Sequence, residues 1–375
     1  MFAPIAVQDV SWPDPQFGGP DAILKWLECS RAYVNIPTST TDDVSEVGPN
    51  FGVARYKWGG SAMAKNGLIA AAPFLNNARV LWINTNTDYV ATGSVAVTAD
   101  YTQTLYCAYD DTFYMFGRDG AGLLKIPANN TGSYTTISSD RYLAGWVNQN
   151  IIYFARFNGS VINDTFMSYD VTNNTFTTIS PITATGTDEH AYQLFLAPNN
   201  RMYFPNNGGA AIQYYDFNTS TTGSISGTAP IYKLNQFSLM PDGNYYCPPG
   251  FDGDTVYKID PKLDTLTAPF SGSPYNAGGT QRWMAWFPNN TISDLQTTTT
   301  GDVVAYDWET NTATSLNFTI PFAGGGDYGY FSSVLAKDGT YAIPADESHV
   351  VKFNKVDLRN LLNGATFSSP INTAT

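Results

Sequence analysis

The chain has 375 residues and a formal net charge of −13, from 19 basic and 32 acidic residues. That sign gives no counterion release on a phosphate backbone, which argues against nucleic acid as a partner. No run approaches the roughly eighteen apolar residues of a membrane-spanning helix, which argues against membrane insertion. Charged residues are only 14%, and Gly (32), Tyr (24) and Phe (22) are abundant. Strands and tight turns need that mixture; long helices do not.

Residues 1–50 fit no repeat and read as an N-terminal arm. Met1–Asp9 lacks the basic region and long apolar core of a secretory leader. Trp12-Pro-Asp-Pro-Gln-Phe-Gly-Gly-Pro20 reads as extended, because a proline biases its predecessor away from helix. Asp21 then suits the N-cap of one short helix over about residues 21–32, with Ile23, Leu24 and Leu27 on one side. A helix of that length is marginal alone and must dock on something. It docks either on its own propeller or on a neighbouring subunit of a larger assembly, and for the second case Trp12, Phe17, Ile23, Trp26 and Leu27 are the candidate partner-binding residues.

From residue 51 onward a degenerate unit recurs. An apolar strand ends in an Asn/Asp/Gly turn, an aromatic-rich strand follows, and a third strand closes on Asp or Asn. The turns are Asn66-Gly67, Asp110-Asp111, Gln149-Asn150, Asn199-Asn200, Asp242-Gly243, Asn289-Asn290 and Asp338-Gly339. Their spacings are 44, 39, 50, 43, 47 and 49 residues, within the range of propeller blades, about 40–50. Such turn residues tolerate the positive φ that hairpins require. Third strands include Val80–Asn84, Phe166–Asp170, Ile212–Asp216, Val256–Asp260, Val303–Asp307 and Val350–Asn354. A lone four-stranded meander has two faces to cover, and ring closure buries both. The expected fold is all-β: a seven-bladed β-propeller over 51–375, with six or eight blades also compatible with the uneven spacing. Tandem β-sandwiches would need a period nearer 100 residues.

Reactive groups are sparse. Cys29, Cys107 and Cys247 have no C-x-x-C spacing and read as reduced thiols acting as small apolar residues. His190 and His349, the only two histidines, sit beside acidic residues in loop positions, without metal-ligand spacing. Asp252-Gly-Asp254 resembles a fragment of a calcium loop lacking its other ligands. The expectation is no catalytic residue, no cofactor and no metal. Trp283 and Trp286 flank one strand, and Tyr328 and Tyr330 follow Gly324-Gly-Gly-Asp327. These four are candidate surface aromatics for a sugar ring or a protein partner, against the alternative of packing between blades. Trp58-Gly-Gly60 fits an innermost strand crowded near the ring axis.

The first unit, Trp58-Gly-Gly60 through Asn66-Gly67 and Pro73 to Val80-Leu-Trp-Ile-Asn84, resembles a W-G-G…N-G…P…V-L-x-I-D repeat of β-propeller proteins such as those of tailed-bacteriophage virions. Asn84 stands where that pattern has Asp, and Trp-Gly-Gly occurs once. The resemblance implies a non-enzymatic virion component (tail, fibre or capsid decoration), made in the host cytoplasm and attached through its arm. Its partners would be other virion proteins, a second copy of itself, and a host-surface glycan. A free carbohydrate-binding lectin is the alternative expectation, and a propeller hydrolase a further one.

Overall fold

A computed structural model describes residues 44–354 apart from several stretches, the longest being 183–193, 205–211, 226–237, 248–254, 272–283, 295–301 and 320–329. The helix expected over 21–32 lies outside the described residues. Among those described there is no helix, and the strands form seven four-stranded antiparallel sheets.

The chain opens with β1 (Val44–Val47). The first sheet is then β2 (Trp58–Met63), β3 (Leu68–Pro73), β4 (Arg79–Asn84) and β5 (Tyr89–Ala96). The second is β6 (Tyr101–Cys107), β7 (Thr112–Gly117), β8 (Leu123–Pro127) and β9 (Thr135–Ser138). The third is β10 (Arg141–Asn148), β11 (Ile151–Phe157), β12 (Asp164–Asp170) and β13 (Thr175–Ile182). The fourth is β14 (Phe195–Leu196), β15 (Arg201–Phe204), β16 (Gln213–Asp216) and β17 (Thr221–Ser224). The fifth is β18 (Ser238–Leu239), β19 (Tyr245–Cys247), β20 (Thr255–Asp260) and β21 (Thr265–Ser271). The sixth is β22 (Met284–Phe287), β23 (Thr291–Asp294), β24 (Asp302–Asp307) and β25 (Thr312–Thr319). The last comprises β26 (Tyr330–Leu335), β27 (Gly339–Pro344) and β28 (Val350–Asn354), with β1 as its fourth strand.

The hairpins form as the turn residues dictate. Gly67, Asp111, Gln149, Asn200 and Gly243 all have positive φ in the turn between first and second strands. The turn between third and fourth strands ends on a left-handed residue in five sheets: Asp88, Asn174, Ser220, Asp264 and Asn311, with φ between 52° and 56°. A turn followed by a left-handed residue is a standard hairpin solution. Four residues beyond Asn354, at the corresponding place after β28, the sequence has Leu358, a side chain that rarely takes that conformation. The fourth place of the last sheet is filled by β1 instead, Val44 opposite Phe353 and Val47 opposite Val350. Residues 44–47, expected to belong to the arm, are therefore part of the propeller.

Successive side chains of the middle strands serve two different seams. Ile69 and Ala71 of β3 join Val334, Tyr341 and Ile343 of the last sheet. Ala70 and Ala72 join Phe113 and Met115 of β7, while Tyr114 and Phe116 of the same β7 turn toward Ile152 and Phe154 of β11. A fourth cluster runs from Trp146 and Phe166 through Phe195 and Tyr203 to Tyr245 and Ile259. The first three sheets are thus greasy on both faces, which explains near-continuous burial along β3 and β7.

The first strands meet around the axis: β2 lies against β6, β6 against β10, and β26 against both β22 and β2. Gly59 shows how closely. A Cβ there would stand 2.8 Å from the Thr102 carbonyl oxygen, so Trp58-Gly-Gly60 occupies an innermost strand, as its small residues indicate. Gly59→Ala should destabilise the fold by about 1–3 kcal/mol through overpacking, read from urea unfolding. Unchanged stability would show that β2 and β6 are not in backbone contact.

Candidate functional site at the seams between sheets

The polar groups that recur from sheet to sheet are Tyr, Lys and Asp at the turn end of the sheets. In three sheets a second-strand Tyr faces a third-strand Lys directly across the ladder: Tyr114 and Lys125, Tyr246 and Lys258, Tyr341 and Lys352. Each Lys Nζ lies over its Tyr ring, 5.7, 5.6 and 5.3 Å from the centroid, within cation–π range. The Tyr hydroxyl then needs an acceptor, since a buried polar group left unpaired is costly.

Which carboxylate accepts depends on the residue four positions before the Tyr. Where it is Asp, the contact stays within the sheet. Tyr114 donates to Asp110 Oδ2 at 2.7 Å, and Lys125 is 3.0 Å from the same oxygen. Tyr246 donates to Asp242 Oδ2 at 2.8 Å, with Lys258 at 3.6 Å. Where it is not, the contact crosses a seam. Tyr341 is preceded at that place by Lys337, and its hydroxyl donates to Asp88 of the first sheet. Lys352 Nζ reaches both Asp88 oxygens, at 2.9 and 3.0 Å. Tyr203 is preceded by Asn199, whose amide donates to the Tyr203 oxygen at 3.0 Å and to Pro261 O at 2.7 Å. Tyr203 donates at 3.2 Å to Asp264 of the fifth sheet, and Arg201 pairs with both Asp264 and Asp216.

Asp88 and Asp264 are the left-handed residues closing equivalent turns. The same position that makes the hairpin thus offers a carboxylate to the preceding sheet. On the first–last seam the inner strands add Ser61 Oγ to Ser332 Oγ at 2.8 Å, and Ser332 to Gly59 O at 3.1 Å.

Electrostatics follow this geometry. Burial alone would raise the pKa of Asp88, but the Tyr341 hydroxyl and the Lys352 ammonium outweigh it and hold the carboxyl below its usual range. Burial pushes Tyr203 up to about 12, assisted by Asp264, and raises Tyr114, assisted by Asp110. Cys107 is buried and its thiol is pushed up to about 11, mainly by desolvation, so it stays a weak nucleophile at neutral pH.

The expected site residues are placed as follows. Trp12, Phe17, Ile23, Trp26 and Leu27, together with Trp283 and Tyr328, lie outside the described residues, as do His190 and Asp252–Asp254. Trp286 lies in β22 opposite Ile292, and Tyr330 opens β26 opposite Pro344; those are neighbouring innermost strands. His349 lies 2.9 Å from Ser348 Oγ and 3.6 Å from Glu46 of β1. Among the described residues no group of three or more His, Cys, Asp or Glu is disposed to hold a metal. The Tyr–cation–Asp sets were not singled out by sequence reading. Their signal was present: Asp four residues before an aromatic in a second strand, with Lys in the third.

No protein-family model matches the chain. No curated protein matches it in sequence. Solved structures do match in shape. A catalytically inactive variant of virginiamycin B lyase from Staphylococcus aureus, with quinupristin, aligns at a TM-score of 0.64 and 11% identity, covering 84% of this chain and 99% of that one. A chain of the mitotic checkpoint complex aligns at 0.59 and 13%, covering 87% and 93%. U3-55K aligns at 0.59 and 10%, covering 84% and 100%. The fold is a β-propeller. At such identities the likeness is one of fold alone.

Asp88→Asn should lower stability at pH 7 by about 1 kcal/mol, a modest figure because Asp88 is partly exposed. A depressed carboxyl contributes stability above its unfolded value, 3.8, and loses it as pH falls through the lower folded value. Thermal melts of the two proteins should therefore converge on acidification below about pH 4. Equal stability at pH 7, or a gap widening in acid, contradicts this role.

Proposed function

We propose that this chain is a non-enzymatic structural component of a bacteriophage virion, a tail, fibre or capsid-decoration protein assembled through its N-terminal segment. Each of the seven sheets is read as one blade. The observation that carries the reading is where β1 lies. It is the outermost strand of the last sheet, so the residues before Val44 join the ring at its perimeter, where a tether can reach neighbours without entering the axis. The repeat pattern of the first unit supports the same reading, as does a net charge of −13, which disfavours nonspecific nucleic-acid binding.

Trp12, Phe17, Ile23, Trp26 and Leu27 are the proposed anchors on other virion proteins or on a second copy. Trp283, Trp286, Tyr328 and Tyr330 are proposed for contact with a host-surface glycan. Synthesis in the host cytoplasm fits three sparse cysteines.

The test is antibody-labelled electron microscopy of particles from the native source, with full-length wild type beside Trp12→Ala/Trp26→Ala. Wild type should decorate particles, and the double variant should keep its melting temperature while its labelling falls at least about tenfold, as loss of aromatic hot spots does. Free wild-type protein that labels no particle yet binds glycans on an array would replace this reading with the lectin.

A further inference from the structure

The last sheet is completed by a strand that is not its neighbour in sequence. β28 offers its free side to β1 over four residue pairs, Val44–Val47 against Val350–Phe353. Val47 enters the apolar cluster of the first–last seam, and Glu46 stands 3.6 Å from His349. No tight turn ties β1 to β28, since the two strands stand at opposite ends of the described chain. Ten residues separate β1 from β2, a reach of roughly 33 Å when extended. Two of them, Gly48 and Gly52, have φ of 82° and 73°, and a Cβ at Gly52 would meet nothing within 4 Å. Backbone pairing at a sheet edge is indifferent to which molecule supplies the strand.

We propose that the β28 edge is a strand-acceptor site which takes residues 44–47 of a second copy as well as its own, so that the protein assembles by exchanging N-terminal strands. The occupant is a second copy because the register, the seat of Val47 and the Glu46–His349 pair are met by that same segment. The residues that precede it would then cross-link neighbouring rings. This stands on the last sheet and does not depend on the virion reading.

The experiment mixes light and nitrogen-15-labelled full-length chains at high concentration, warms them to just below the melting temperature, cools them and counts masses by native mass spectrometry. Dimers holding one light and one heavy chain should appear and approach about half of all dimers, the statistical limit for free exchange. The control is Val47→Cys/Val350→Cys, whose paired Cα positions suit a disulfide. Oxidised within the monomer before mixing, it should form no mixed dimer; reduced, it should regain wild-type exchange. Monomers alone at every concentration would overturn the proposal, and so would mixed dimers formed equally well by the oxidised variant.

Discussion

A four-stranded sheet with apolar side chains on both faces has to be covered twice, and this constraint organises the molecule. In β7, Phe113 and Met115 go to one neighbour while Tyr114 and Phe116 go to the other. Burying a single such side chain contributes about 1.5–3 kcal/mol, so a sheet with one uncovered face would forfeit several of these at once. Stacking the sheets covers every face except at the two ends of the row. Closing the row into a ring removes those ends.

Closure places an unusual burden on one seam. The sheets it joins are the first and last in the chain, and the covalent link between them is the ten-residue stretch from β1, the outer strand of the last, to β2, the inner strand of the first. The seam answers with several kinds of contact: the apolar cluster around Trp58, Ile343 and Val350, the Ser61–Ser332 pair at the axis, and Asp88 reaching Lys352 and Tyr341 near the turns. Strand β1 completes the last sheet, and Gly48, just beyond it, packs closely on Val90 of the first. Contacts made by charge would be weak if fully solvated, but Lys352 is only 8% exposed, and a buried ammonium needs its carboxylate.

Much of this was legible before any coordinates. The turn pairs at 66–67, 110–111, 199–200 and 242–243 each hold a left-handed residue, because Asn, Asp and Gly are the residues that bear positive φ. Trp58-Gly-Gly60 was readable as innermost because small residues signal close backbone approach. What stayed hidden was long-range. Nothing near Val44 marks it as the partner of Phe353, since a four-residue strand has little period of its own. Asp88 carries no local mark of its role, which depends on a Tyr and a Lys in the last sheet. The aromatics sought as a ligand site, such as Trp286 and Tyr330, sit on innermost strands, where the contrary reading of packing between blades applies equally.

The central claim, that the first and last sheets close a ring, is tested most directly by joining them at the axis. Ser61 and Ser332 lie 271 residues apart in sequence with their hydroxyls 2.8 Å apart, so Ser61→Cys/Ser332→Cys should form an intrachain disulfide on mild oxidation of the folded protein. In a denatured chain the loop is far too long to close at a comparable rate. Rapid bond formation, with native circular dichroism retained, is the predicted result. A folded double variant whose two thiols stay free under the same oxidation would mean that the sheets form an open row, and the account would fall.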